Sequence, residues 1–468
     1  MPDPLDVVED QDGQWTLRIT KDPIHITGRY YGLVQILESV GNDRFWVRHY
    51  NWDSEQFDGI DEIVYLPSVL PNRDNIDQSS NRDIERSPLN EQGWYIFGAL
   101  NADGEFVVQA IAPYHFFDLN PDVVITGQRE SLRYLHTDYW NNPRAQKGKV
   151  ITSLLLPHIE ASATPIPAVD EIWQEGDRAL LMEVYGGIGG NKKEFAPGGI
   201  YFGHFSFGLA HVIREPLTGK LHFDIEYRQI FTHSPEAVIA GLNGWTRFMG
   251  DRQYGRVGFR PVADILIKFP PFTQDYNFDG VIFSPMNRLI RELDVMAARY
   301  RIGDGTGTTA VSPVNSCVQD STQALLTALN RLFAEFTVNP LMMKWLRDHP
   351  DYEQTHRFRL LMDLLASLEA NLLPLGIGRS DWRTGELTLG QFAGETPMKT
   401  LVDALASWNS LLPRLANDIM AMVFLQLGAS VWIIRAHQIG GDDPDIERIA
   451  PGDFGIHPPR IKRARFNV

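Results

Sequence analysis

At 468 residues the chain has room for about two or three domains, and its net charge of −16 excludes a broad nucleic-acid-binding surface, which needs clustered cations to replace phosphate counterions. Apolar residues make up 43% and charged residues 22%, an ordinary globular composition. A single cysteine excludes an intramolecular disulfide and a cysteine-rich metal site, so a reducing cytoplasm is the expected compartment. The N-terminus, Met1 to Asp12, is acidic and lacks the apolar stretch of a secretory signal.

Residues 1–165 read as a β-rich domain. Short β-branched and aromatic runs at 15–19, 30–37, 45–50 and 60–65 alternate with Gly, Asp and Asn. Residues 71–92 are polar and read as a long loop. Runs at 94–100 and 106–111 flank Asn101-Ala-Asp-Gly104, a hairpin signal. Residues 166–330 read as an α+β domain. Strands are expected at 179–184, 199–213 and 221–231, the last two joined by a turn at Glu215-Pro-Leu-Thr-Gly219. The glycine-rich stretch Tyr185 to Asn191, with Gly187 inside it, reads as a mobile loop. A helix is expected from Ser284-Pro285 to Tyr300, because serine caps a helix and proline suits its first turn. Residues 331–440 read as a helical domain, with a last helix over 398–435 broken at Pro413. Residues 441–468 read as an irregular tail. The apolar run from Ile419 to Ile434 falls short of the ~20 residues of a membrane span and reads as a buried core helix. No transmembrane span is expected, and a peripheral membrane contact stays open.

The lone thiol carries the functional argument. Cys317 follows Asn315 and Ser316, and Ser316-x-x-Gln319 matches a capping box. That places Cys317 in the first turn of a helix, where the free amides and the dipole favour a thiolate. The position alone is insufficient. Lowering a thiol pKa from ~8.5 to ~6.5 needs about 2.7 kcal/mol. A helix N-terminus supplies ~0.3–1 kcal/mol, and ~2 at most. An imidazolium beside the sulfur closes that gap.

His204 is the expected partner. On its strand it shares a face with Ser206, Gly208 and Ala210, small residues that would let a helix approach closely. His204 would act as general base and Cys317 as nucleophile, with the Cys317 amide and the Gln319 side chain meeting the oxyanion. A third group should orient the base. The candidates are Asp224, with Glu226 on the same face of the next strand, and Gln229 on the other; the pattern does not choose among them. Tyr185, Gly187, Asn315 and His233 are the expected substrate or loop residues. The histidines 204, 211, 222 and 233 lack metal-ligand spacing, and no metal or cofactor is expected. The opposing reading makes Cys317 a small buried apolar residue and His204 a satisfied core histidine.

A Gly203-His204 strand, a second strand and then an Asn-x-Cys helix start follow in that order. The arrangement resembles the circularly permuted papain-like superfamily, with its NlpC-type and lecithin:retinol acyltransferase-like members, over residues 175 to 330. The resemblance implies a helix bearing the cysteine packed on an antiparallel sheet bearing the histidine. The whole chain also resembles cyanobacterial proteins labelled predicted Abi (CAAX) family proteases, at Phe223-Asp-Ile-Glu-Tyr-Arg-Gln229, Ser316-Cys-Val-Gln-Asp320 and Leu425-Gln-Leu-Gly-Ala-Ser-Val-Trp432. CAAX metalloproteases carry Glu-Glu-x-x-x-Arg, and this chain contains no Glu-Glu pair. The expected function is therefore a cysteine hydrolase (protease or amidase) or acyltransferase working through an acyl-thioester. One alternative is a non-catalytic scaffold or binding protein; another is a CAAX-type protease without its metal motif. The sequence does not choose between peptide, lipid and glycan as substrate, and says nothing of oligomeric state.

Overall fold

The computed structural model describes residues 6–9, 15–18, 30–68, 81–160, 167–194, 203–230, 240–302 apart from 254 and 259, 316–375, 402, 405–451 and 460–466. The fold is mixed α+β in three layers: a barrel, a sheet and a helical layer.

Strands β1 (Asp6–Glu9) and β2 (Trp15–Arg18) pair as a hairpin. The barrel follows: β3 (Tyr30–Gly41), β4 (Arg44–His49), β5 (Asp61–Tyr65), β6 (Trp94–Leu100) and β7 (Phe106–Pro113). It closes in the order β3-β4-β5-β7-β6, and β5 runs parallel to β7. Order 1-2-3-5-4-1 with that one parallel pair is the topology of OB-type barrels. The turn expected at Asn101–Gly104 joins β6 to β7, with Gly104 at φ 80° and its amide donating to the Asn101 carbonyl at 3.1 Å. Only glycine holds such a φ without strain.

The central sheet draws on three of the segments that the sequence separates. Its strands are β8 (Val123–Thr126), β9 (Val150–Leu156), β10 (Arg178–Tyr185), β12 (His204–Arg214), β13 (Leu221–Gln229), β14 (Gly241–Gly244), β15 (Pro261–Lys268) and β18 (Ser430–His437). They lie in the order β14-β13-β12-β10-β15-β18-β9-β8. Boundaries at 165 and 330 therefore cut one sheet. Strands β8 and β9 come from the expected β domain, and β18 from the expected helical domain.

The last helix is the clearest correction. It spans Pro413–Gln426 and stops, and residues 430–437 form β18, buried along its whole length. Gly428 sits at φ 94°; its amide reaches the Leu425 carbonyl and the Ala429 amide reaches that of Phe424, both at 3.0 Å. These are the two bonds of a Schellman stop. β18 is apolar on both faces because both faces of the sheet are covered, so it lacks the alternation that marks a half-buried strand.

The expected glycine-rich loop is a ribbon: β11 (Gly187–Gly190) pairs with β19 (Ile446–Ile449), inside the expected irregular tail. A Cβ on Gly186 would meet the Ile449 carbonyl at 2.3 Å, and one on Gly189 the Ile449 side chain at 2.5 Å, so only glycine allows this approach. A second two-stranded ribbon joins β16 (Tyr276–Phe278) to β17 (Val281–Phe283).

The helical layer comprises α1 (Pro285–Ile302), α2 (Cys317–Val338), α3 (Pro340–Asp348), α4 (Glu353–Leu372) and α5 (Pro413–Gln426). Their apolar faces meet Leu180, Met182, Val184, Phe205, Phe207 and Leu209 on one side of the sheet. Leu181, Ala210, Phe223, Tyr227 and Trp432 face the other side and pack with the barrel. Among the described residues no helix is long and apolar enough to cross a membrane.

Candidate functional site

Cys317 stands where the sequence places it, at the start of α2. Ser316 is the N-cap, and its Oγ accepts from the Gln319 amide at 3.4 Å. The reciprocal half of the box is missing. Both amide atoms of the Gln319 side chain are buried without a hydrogen-bond partner among the described residues, so Gln319 does not reach back to the N-cap. The thiol is 6% exposed and belongs to the apolar cluster with Phe205 and Phe207. Burial pushes it up to about 12, although the backbone amides of Phe205 and Val318 bond to the sulfur and favour the thiolate. Desolvation exceeds the help those amides give.

His204 lies on the face of β12 opposite Phe205 and Phe207. Its register partner is Tyr185 on β10, and the two rings meet tilted, with centres 5.2 Å apart. Phe205 and Phe207 point into the helical layer with Cys317. His204, Ser206, Gly208 and Ala210 point toward the barrel, because adjacent side chains on a strand alternate. The helix packs on the phenylalanine face and not on the small-residue face that the sequence suggests for it. The sulfur bonds the backbone amide of Phe205, the residue next to His204, while the imidazole Nε2 is bonded to Gln229.

His204 instead heads a buried relay. Its Nε2 donates to Gln229 Oε1 at 2.5 Å, Gln229 Nε2 donates to Ser206 Oγ at 3.0 Å, and Ser206 Oγ donates to Glu183 Oε2 at 3.0 Å. The donor sense runs one way from imidazole to carboxylate, which lets each bond polarise the next. Burial lowers the His204 pKa to about 4, helped by the charges of Arg256 and Arg260; the Gln229 hydrogen bond opposes it without prevailing. The imidazole is neutral near pH 7 and supplies no positive charge for a thiolate.

Beside Glu183 on β15 stands its register partner Asp264, which accepts from the Tyr227 hydroxyl at 2.5 Å. Glu183 Oε1 and Asp264 Oδ1 are both buried without a hydrogen-bond partner among the described residues. Burial raises both groups, with the Asp264 charge adding to the rise at Glu183, and Asp264 reaches about 7. Sequence reasoning missed this carboxyl pair. The signal was present: a lone acid inside an otherwise apolar strand, in Leu180-Leu-Met-Glu-Val184 and in Val262-Ala-Asp-Ile-Leu266.

The other expected residues separate. Asp224 is exposed, on the face of β13 opposite Gln229, and its register partner is His211. Of the three candidates to orient His204, Gln229 is the one that bonds it. Tyr185 lies beneath Arg256 and Arg260 at 5.5 and 5.1 Å from its ring centre. Gly187 belongs to the β11–β19 ribbon rather than to a loop. Asn315 and His233 lie outside the described residues. Among the described residues no three His, Cys, Asp or Glu side chains gather as a metal site. No family model, curated protein or solved structure matches the chain.

Proposed function

We propose that this chain is a non-catalytic binding protein in which Cys317 and His204 are structural residues. One observation carries the reading: the sulfur is buried in the apolar cluster with Phe205 and Phe207, and the imidazole is committed to a buried hydrogen bond with Gln229. The proton on His204 Nε2 is held by Gln229, and a thiol near pKa 12 is almost wholly protonated at neutral pH. The barrel topology is one that binding modules use, which supports the reading by fold-level analogy alone.

The test is a pre-steady-state burst measurement with p-nitrophenyl acetate on the full-length protein and on Cys317→Ser. The expected result is no burst in either. A stoichiometric burst in the wild type that Cys317→Ser abolishes would overturn the reading.

A second reading, a cysteine hydrolase or acyltransferase working through an acyl-thioester, has one observation in its favour. Two backbone amides bond to the sulfur at a helix start, as stabilisation of a thiolate requires. The same burst measurement decides between the two.

A further inference from the structure

The outer edge of the central sheet has a gap. β13 is bridged to Asp118 at His222 and paired with β14 from Glu226 onward. The Phe223 amide donates to the Phe117 carbonyl at 2.9 Å, and Asp224 and Ile225 have no strand partner on that edge among the described residues. A cavity of about 350 Å³ occupies the gap and extends to barrel strand β6. That volume lies at the small end of the ~300–1,000 Å³ range of small-molecule sites.

Its wall has a definite chemistry. The aromatic residues Tyr95, Phe97, Phe117 and Trp245 line it, together with the acidic residues Glu215, Asp224 and Glu226, and no lysine or arginine is among the described lining residues. Phe117 and Trp245 stand edge to face at 5.1 Å. Glu215 is held in place by the amides of Leu217 at 2.9 Å and Thr218 at 2.6 Å. Asp224 forms no ion pair among the described residues. Glu226 is 3.9 Å from Arg228, too far for a hydrogen bond. Two lining residues carry a buried nitrogen with no partner among the described residues: His222 at Nε2 and Trp245 at Nε1.

We infer that this cavity is a binding site for a small organic cation, an ammonium group carried on an apolar or aromatic body. The inference rests on the binding-protein reading and gives it a site and a ligand class. Aromatic faces attract ammonium groups by about 0.5–2 kcal/mol. The carboxylates add attraction for a cation and repulsion for an anion. The chain's net charge of −16 raises the local concentration of cations at its surface. His222 adds no competing charge, because burial lowers its pKa to about 4. A neutral apolar guest would fill the space but desolvate carboxylates without compensation.

The experiment is isothermal titration of the full-length protein with phenyltrimethylammonium, benzyl alcohol and benzoate in parallel. The cation is expected to bind with a Kd of ~0.1–1 mM and at least ~10-fold more tightly than benzoate. Asp224→Asn changes an exposed side chain, and Trp245→Leu removes a ring. Each should weaken the cation by ~3–10-fold. Benzoate binding as well as the cation, or a cation affinity that neither substitution moves, overturns the ligand class while leaving a binding role standing. Binding of none of the three probes overturns the site. A Cys317-dependent burst overturns the non-catalytic reading by a separate measurement.

Discussion

The two faces of the central sheet differ in kind. The helical face is apolar through the middle of β10 and β12, at Leu180, Met182, Val184, Phe205, Phe207 and Leu209. The barrel face carries His204, Ser206, Gln229, Glu183, Asp264 and Tyr227, all buried, within a few residues of one another on four strands. The thiol packed against the first face is desolvated, and burial keeps it protonated. Ionisable groups on the second face survive burial because hydrogen bonds satisfy most of their atoms, and they shift toward their neutral forms where those bonds fall short. Chemical potential in this molecule therefore follows the face of the sheet and not the residue type.

The largest effect that tests this contrast comes from truncation on the apolar face. Phe207→Ala should lower unfolding free energy by about 3–5 kcal/mol in urea titrations. Ser206→Ala, one residue along and on the other face, should cost only about 1–2 kcal/mol, from the lost bond to Glu183. Equal losses would remove the distinction between the faces.

The carboxyl pair gives the next effect, read as a pH slope. Asp264 sits near 7 in the fold against 3.8 in the open chain, so between those values the folded state holds a proton that the unfolded state releases. Wild-type stability should therefore fall, relative to Asp264→Asn, as pH rises from about 4 to about 7, and level off above. At 1.36 kcal/mol per unit the difference approaches about 4 kcal/mol. Parallel stability curves for the two proteins over that window would show that the pair is not desolvated.

The imidazole should give the smallest of the three effects, with the opposite slope. His204 sits near 4 in the fold against 6.5 in the open chain, so the unfolded state takes up a proton first as pH falls. Relative to His204→Gln, the wild type should lose up to about 3 kcal/mol between pH 6.5 and pH 4. An NMR titration placing the His204 midpoint near its ordinary value would mean that the barrel face is open to solvent.

Much of the local structure was legible. The helix at Pro285 begins with the Asn287 amide donating to Ser284 Oγ at 3.4 Å, as the Ser-Pro pair indicates. The strands on either side of Glu215 to Gly219 and the helix start at Ser316 follow local rules of turn and cap chemistry. The site was legible only in part. Alternation along 204–211 separates residues correctly into two sets, but periodicity gives parity and not polarity. It does not say which set the helix covers. Gln229 becomes the partner of His204 through the register of β12 with β13, which depends on the whole hairpin.

What the sequence determined by itself was the set of short-range features: a lone cysteine at a capped helix start, a strand with two chemically distinct faces, and glycines where the chain must turn left-handed or pass close to a neighbour. Each depends on contacts within a few residues. The tertiary structure alone decided that residues 430–437 leave the helix and enter the middle of the sheet, that β11 and β19 meet, and that the imidazole of His204 is bonded by Gln229. Those outcomes depend on partners tens to hundreds of residues away. Burial on both faces also erases the periodicity that would have announced them.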